Sequence, residues 1–122
     1  MDSDENTTVK TLRGRVHDFI EAREWGKYHH PKEVALSLSV EASELLEIFQ
    51  WAEKETVEEM KANPKLMERI REELADVFNY TLDMANRLDI DLTQASEEKF
   101  KKTDKKYPVS EWKGKRLKYV KL

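Results

Sequence analysis

Apolar residues recur at helical spacing along most of the chain, and no stretch shows the strict alternation typical of a half-buried strand. Only three glycines and three prolines are present to interrupt helices. The pattern therefore predicts an all-α protein. Its helices are expected at Thr8 to Glu24, Pro31 to Lys54, Pro64 to Leu88 and Thr93 to Lys102, with a short helical turn at Thr56 to Met60.

The predicted helix boundaries coincide with capping residues and prolines. Asn63 and Pro64 suit the N-cap and the first helical position, and Thr93 can cap the last long helix. Pro108 is expected to end that helix, because the residue before a proline disfavours helical geometry. Residues 25–30, between the first two helices, are predicted to form a loop rich in rings.

The second predicted helix carries a carboxylate inside its apolar stripe. At about 100° per residue, Glu41 falls in the middle of this stripe and Glu44 on its flank. A lone ionised carboxylate in such a setting costs several kcal/mol unless it is paired, protonated or bound to a metal ion. The apolar members of the stripe are Val34, Leu38, Leu45, Ile48, Phe49 and Ala52.

The third predicted helix repeats this arrangement. Glu73 borders its apolar stripe, and Asp76, Tyr80 and Asp83 extend along the same side. If the two helices pack together, four carboxylates approach one point, where only cations can hold them stably. Oxygen ligands of this kind suit Mg²⁺ or Mn²⁺ better than zinc. The apolar stripe consists of Leu66, Ile70, Leu74, Val77, Thr81, Ala85 and Leu88.

Composition and charge limit the classes of protein that fit. A chain of 122 residues has room for one core, and the absence of cysteine excludes disulfides and thiolate metal sites. No apolar run approaches the roughly 20 residues of a membrane span, and no signal peptide is recognised. We therefore expect a soluble, cytoplasmic protein.

Charge is divided unevenly along the chain. Residues 1–98 hold 12 Lys and Arg against 23 Asp and Glu, whereas residues 99–122 hold 10 against 2. The acidic body would repel a long polyanion, which argues against a nucleic-acid partner. A small phosphorylated ligand, held between metal ions and basic side chains, fits both parts of the chain better.

A longer set of motifs resembles the MazG-like nucleoside triphosphate pyrophosphohydrolases, especially their dCTP pyrophosphatase branch. The family signature is an ExxE pair followed by an ExxD pair on the next long helix; ExxE alone is weak, whereas the combination is specific. The resemblance covers about Phe19 to Pro108. It rests on FIEAREW at Phe19 to Trp25, His29 and Pro31, Glu41 and Glu44, Phe49-Gln50-Trp51, Glu72 to Asp76, Tyr80, Lys99 and Tyr107-Pro108.

This resemblance implies a four-helix MazG-like bundle and a hydrolase that depends on Mg²⁺, with Mn²⁺ as a substitute. Metal-activated water would attack the triphosphate, releasing the nucleoside monophosphate and pyrophosphate in nucleotide-pool control or house-cleaning. Glu47 or Glu72 could act as a general base or as a carboxylate that supports the metal ligands from behind, although their more exposed wheel positions favour a solvated role. The expected metal-binding and catalytic residues are Glu41, Glu44, Glu73 and Asp76.

The resemblance also assigns aromatic residues to the substrate. Trp25, Trp51 and Tyr80 match positions that enclose the base, where flat rings stack at about 1 to 3 kcal/mol each. The alternative for such rings is the core, and Trp51 is favoured for base contact because its wheel direction is close to that of Glu44. His29 is a further candidate for nucleotide contact, with a surface position in the loop as the alternative.

The basic end of the chain is expected to take part in phosphate binding. Lys99 and Lys102 match a stretch that contacts phosphates in the family, and a solvated face is the alternative. We assign residues 1–108 to the helical domain and residues 109–122 to a basic tail, which either docks on a partner or is flexible. The tail residues available for docking are Trp112, Tyr119 and Val120.

Departures from the family pattern leave the substrate open. Val40 and Ser43 replace glycines that often precede the two glutamates, and Thr103 replaces a frequent asparagine. A histidine found on the first helix of the dCTP enzymes is absent, since Val16 stands in its place. The resemblance therefore supports the metal site more strongly than it supports a preference for dCTP. Another dNTP or a modified pyrimidine triphosphate is an equally good candidate for the substrate.

Two other classes of helical protein fit this sequence less well. A ferritin-like di-iron bundle requires Glu three residues before His, which this chain lacks. A non-catalytic helical interaction or regulatory protein gives no reason for placing Glu41 in an apolar stripe.

The wide apolar stripes of the helices leave more apolar surface than one chain of this size can cover, so we expect a homodimer or a dimer-of-dimers tetramer.

Overall fold

The computed structural model describes residues 1–52 and 54–115, most of which are helical. The all-α prediction is confirmed. The helices are α1 (Val9–Ala22), α2 (Pro31–Phe49), α3 (Val57–Lys61), α4 (Pro64–Leu88), α5 (Leu92–Lys106) and α6 (Val109–Trp112), with a 3₁₀ turn at Gly26–Tyr28. The four long helices correspond to the predicted ones, α3 corresponds to the predicted short turn, and α6 was not predicted.

Side-chain caps determine where the helices begin. Asn63 accepts a hydrogen bond from the backbone N–H of Leu66 at 3.2 Å, which confirms the predicted start of α4. The predicted cap of α5 is wrong, because Asp91, and not Thr93, accepts the backbone N–H of Gln94 at 2.9 Å. A carboxylate also interacts favourably with the positive end of the helix dipole, so α5 begins earlier than predicted.

Two helix ends also differ from the prediction. α2 ends at Phe49 instead of Lys54, because the N–H of Gln50 bonds to the carbonyl of Glu47 and tightens the last turn into 3₁₀ geometry. α5 continues beyond its predicted end to Lys106, since neither glycine nor proline interrupts it before the proline that follows. Because α2 ends earlier than predicted, Trp51 lies outside this helix.

α4 is the central helix, because α1, α2 and α3 all pack against it. Two residues of its predicted apolar stripe are exposed: Leu74 and Leu88 keep 53% and 52% of their surface. α1 and α2 pack against other sides of α4, and about half of the surface of these two side chains therefore remains exposed. Among the described residues, the buried apolar side chains are Ile20, Val34, Leu82 and Ala85.

A reciprocal pair of polar side chains fastens α1 to α4. The guanidinium of Arg13 donates to the side-chain oxygen of Asn86 and to the carbonyl of Ala85, each at 3.1 Å. The amide of Asn86 donates in return to the carbonyl of Arg13 at 2.9 Å. These bonds fix the position of α1 beside α4, where the two helices line a cavity.

The chain divides into two compact units after Asp89, which ends α4 in the left-handed conformation at φ 53°. In the second unit the rings of Tyr107 and Trp112 meet edge to face at 5.1 Å. Tyr119 and Val120 lie outside the described residues, and the assignment of a separate tail stays a prediction. Across residues 1–52 and 54–115, no helix has the length and apolar character to cross a bilayer.

Candidate functional site

Three carboxylates meet where α2 packs against α4, and we call them the acidic triad. One oxygen each of Glu41, Glu73 and Asp76 lies within 4.8 Å of the other two. Glu73 and Asp76 project from adjacent turns of the same face of α4, because they are three residues apart. Three of the four acids predicted from the sequence, one on α2 and two on α4, thus lie close together.

Glu44, the fourth predicted acid, is an exposed neighbour of the triad. The pKa of Glu41 is raised from 4.5 to about 7, first by loss of hydration and then by the carboxyls of Glu44 and Glu73. The pKa of Glu73 is raised as well, again chiefly by loss of hydration. The site therefore holds protons more tightly than free carboxylates do, unless a cation replaces them.

Two oxygens of the acidic triad are buried and, within the described part of the chain, have no hydrogen-bond partner. They are Oε2 of Glu41 and Oε2 of Glu73. An unsatisfied buried polar atom costs about 1 to 3 kcal/mol, and native proteins contain few of them. A divalent cation would satisfy both oxygens, and a donor set made only of oxygen suits a hard ion. The residues present therefore fit such an ion.

A cavity of about 400 Å³, which we call the acidic cavity, adjoins the triad. Glu47 and Glu72, whose roles the sequence left open, line it together with Glu44 and Glu73. Arg69 lines it as well and supplies a positive charge among the four acids. The two undecided carboxylates thus line the same cavity as Glu73 of the triad.

A second cavity, of about 560 Å³, lies between α1, the loop after it and α4, and we call it the aromatic cavity. Its volume falls within the range of about 300 to 1,000 Å³ that is typical of small-molecule sites. Asp76 belongs both to its lining and to the acidic triad, so the two sites adjoin. The remaining lining residues are Leu12, Arg15, Val16, Phe19, Ile20, Trp25, His29, Asn79, Tyr80 and Asp83.

Three predicted substrate residues, Trp25, His29 and Tyr80, line the aromatic cavity together. Trp25 keeps 43% of its surface exposed, and its ring meets that of Phe19 edge to face at 5.9 Å. The guanidinium of Arg23 lies 3.7 Å above the ring of Phe19 and supports this pair from outside. The cavity therefore offers partly exposed ring surface next to the acidic triad.

A buried carboxylate at the aromatic cavity was missed by the sequence analysis. The side chain of Asp83 is 2% exposed, and its Oδ2 lies 2.6 Å from Nδ1 of His29. Its Oδ1 accepts a hydrogen bond from Nε of Arg87 at 3.2 Å. The sequence did show that Asp83 follows Asp76 by two turns on one side of α4, but nothing local indicated its partner in the loop.

The other predicted substrate residues lie elsewhere. Trp51 follows the end of α2, is 87% exposed, and does not belong to the lining of the aromatic cavity. Lys99 and Lys102 are exposed on α5, in the second compact unit. Their role in phosphate binding stays a prediction.

Comparisons with known proteins place these features in a family context. The MazG-like family matches residues 36–122. dCTP pyrophosphatase 1 of Bos taurus is 32% identical over 115 residues, which cover 94% of this chain and 68% of the relative. The Mus musculus protein of the same name is 33% identical over the same shares of the two chains.

A solved structure is similar as well. The crystal structure of a pyrophosphatase from Archaeoglobus fulgidus superposes with a TM-score of 0.74 and is 34% identical in sequence. The similarity covers 88% of this chain and 99% of that chain. It therefore includes nearly the whole of the archaeal protein.

Proposed function

The chain belongs to the MazG-like family, and on this premise we propose that it is a Mg²⁺-dependent nucleoside triphosphate pyrophosphohydrolase. The names of its relatives support an enzyme that releases pyrophosphate from a nucleoside triphosphate. We propose dCTP, or a related pyrimidine deoxynucleotide, as the substrate. The products are the nucleoside monophosphate and pyrophosphate.

One observation carries the metal part of this proposal. The buried, unpartnered oxygens of Glu41 and Glu73 lie in a cluster of three carboxylates that only protons or cations can stabilise. Glu41, Glu73 and Asp76 would hold Mg²⁺, and Glu44 stands next to them. When bound, the ion supplies positive charge for the triphosphate and lowers the pKa of a water molecule.

The aromatic cavity orients the nucleotide in this proposal. Asp76 borders both sites, so a nucleotide with its phosphates at the triad can place its base in the cavity. Trp25 and Tyr80 offer ring surface for stacking against the base. Glu47 or Glu72, in the acidic cavity, accepts the proton of the attacking water.

We further propose that the enzyme assembles as a homodimer or tetramer and that Lys99 and Lys102 contribute to phosphate binding. Two lines of exposed apolar residues support the assembly: Leu36 and Val40 on α2, and Leu74 and Phe78 on α4. In each line the residues are four apart and share one side of their helix. Contact with a second copy would remove these side chains from water.

A substrate panel tests the proposed reaction. Purified protein is incubated with each dNTP and NTP in Mg²⁺, and pyrophosphate and single phosphate are quantified separately. We expect pyrophosphate with a pyrimidine deoxynucleotide, and none after Glu41→Gln, because this change removes a carboxylate from the triad. Glu68→Gln, at an exposed position of α4, is the matched control and should retain activity.

Two outcomes would contradict this proposal. Release of single phosphates would mean that a different bond is cleaved. Absence of turnover with every nucleotide, from a protein that is folded and loaded with Mg²⁺, would favour a non-catalytic interaction protein instead.

A further inference from the structure

Asp83 is held between two partners on different elements of the fold. Its two carboxylate oxygens face His29 in the loop before α2 and Arg87 one turn further along α4. Arg87 is 18% exposed and lies 4.0 Å from the half-exposed carboxylate of Glu21. The loop that carries His29 is thus fixed to α4 through one buried carboxylate.

The charges in this group determine where the proton of His29 lies. The carboxylate of Asp83 has no hydrogen to donate, so Nδ1 of His29 carries the hydrogen of the 2.6 Å contact. Arg87 already supplies a positive charge next to Asp83, so this carboxylate has a cationic partner without a second charge on the imidazole. In a neutral imidazole that is protonated at Nδ1, Nε2 has a lone pair and is a hydrogen-bond acceptor.

This acceptor is available at the aromatic cavity. His29 lines the cavity, and of its two ring nitrogens only Nδ1 has a hydrogen-bond partner in the described part of the chain. A ligand in the cavity that offers an N–H group can satisfy Nε2. A ligand that presents a carbonyl oxygen there would place two lone pairs against each other.

We propose that His29, oriented by Asp83 and Arg87, selects nucleotides whose base bears an exocyclic amino group. The inference rests on the proposed function and deepens it, because it assigns a residue to base discrimination. Cytosine and uracil are the matched pair, since they differ in size very little but present an amino group and a carbonyl at the same ring position. His29 is the reading residue, and Asp83 is a positioning residue that acts through it.

The substitution Asp83→Asn tests this assignment by reversing the polarity of His29. Arg87 can only donate, so the amide oxygen of the new side chain must face Arg87 and its NH₂ group must face Nδ1 of His29. Nδ1 then accepts, the proton moves to Nε2, and the cavity gains a donor in place of an acceptor. A uracil carbonyl now fits and a cytosine amino group does not.

The readout is the ratio of kcat/KM for dCTP to that for dUTP. We expect the unaltered enzyme to favour dCTP by roughly tenfold or more, since a buried hydrogen-bonding group rejects an analogue that leaves it unpaired. Asp83→Asn should lower the ratio at least tenfold. His29→Phe keeps a ring but has no ring nitrogen, so the ratio should approach one. A purely structural role for Asp83 would lower both rates together and leave the ratio unchanged.

Binding without catalysis separates this inference from the proposed function. Calorimetric titration with dCMP and dUMP in Mg²⁺ needs no turnover, because each is a product of the proposed reaction. We expect the preference of the unaltered protein, and its change in each variant, to follow the kinetic ratios. Failure of the substrate panel alone would remove the proposed reaction but not this preference. Equal affinity of the unaltered protein for dCMP and dUMP, or a preference that survives His29→Phe, would overturn the inference. If Asp83→Asn does not fold, His29→Phe decides.

Discussion

Glu41 combines three properties that rarely occur in one carboxyl group. It lies on the apolar side of α2, one of its oxygens is buried without a hydrogen-bond partner among the described residues, and its pKa is raised to about 7. Each property is unfavourable for an ionised acid standing alone. Together they support the proposed role of Glu41 as a ligand of a cation, since packing alone would favour an apolar side chain at this position.

Stability should depend on pH because of this residue. The folded pKa of Glu41 is above 4.5, so the folded state binds the proton more tightly than the unfolded chain does. The stabilisation from this proton is fully present below pH 4.5 and is lost as the pH rises to about 7. We expect the melting temperature in EDTA to fall across this interval, and Mg²⁺ to raise it again at pH 8.

Glu41→Gln is the control for that measurement. Glutamine cannot ionise, so the fall in melting temperature should be smaller in this variant, and Mg²⁺ should stabilise it less. Identical pH profiles for the two proteins would show that the proton on Glu41 does not contribute to stability.

Glu41 could be predicted from the sequence, whereas the role of Asp83 could not. The position of Glu41 within an apolar stripe is a local pattern that a helical wheel reveals. The partner of Asp83 is His29, 54 residues earlier in the chain, and helical periodicity contains no information about contacts at that distance. The loop conformation after α1 decides this contact.

α4 is the helix on which both parts of the site depend. It supplies two acids of the triad, and Tyr80 and Asp83 of the aromatic cavity. Its start is well defined by the Asn63 cap and by proline at the first helical position. A change that shifts α4 along its axis would therefore disturb the proposed metal site and the aromatic cavity together.

Loss of the α4 cap should reduce stability without affecting turnover. Asn63→Ala removes the acceptor for the N–H of Leu66 and should cost about 1 kcal/mol in the free energy of unfolding. Urea denaturation measures this cost, and kcat should stay unchanged because the cap lies outside the triad and both cavities. Asn63→Ser retains a capping oxygen and should lose much less. Equal losses in the two variants would mean that the cap is not the stabilising feature.

Most helices were predictable from apolar spacing and caps, but the end of α2 was not. The apolar pattern continues to Ala52, whereas α2 ends at Phe49 and the N–H of Gln50 bonds to the carbonyl of Glu47, three residues earlier. Trp51, favoured for the base because of its wheel direction, therefore lies outside the helix on which that direction was calculated. Local hydrogen bonding at a helix end, which apolar spacing does not encode, determines this difference.

Among residues 1–52 and 54–115, few apolar side chains are buried within the single chain, and many large ones are exposed. Leu74 and Phe78 on α4 retain 53% and 43% of their surface. The single chain thus leaves these two side chains only partly buried. This distribution is typical of a subunit whose apolar surface is covered by another copy.

Phe78→Glu should therefore disrupt the assembly. We expect the unaltered protein to sediment as a dimer or tetramer, and this variant to shift towards the monomer, because a charge cannot be buried there without a partner. Lys65→Gln changes the net charge by the same amount on the same helix and should leave the assembly intact. A protein that sediments as a monomer before any substitution would contradict the proposed assembly.

Because Asp76 and Asp83 lie on the same helix, the distance between them is fixed. At about 1.5 Å of rise per residue, their seven-residue separation corresponds to roughly 10 Å along the axis of α4. A rigid helix cannot stretch to accommodate a longer or shorter ligand. A molecule that reaches from Asp76 to the ring of His29, which Asp83 holds in place, must therefore match this length, with negative charge at one end and a flat ring at the other.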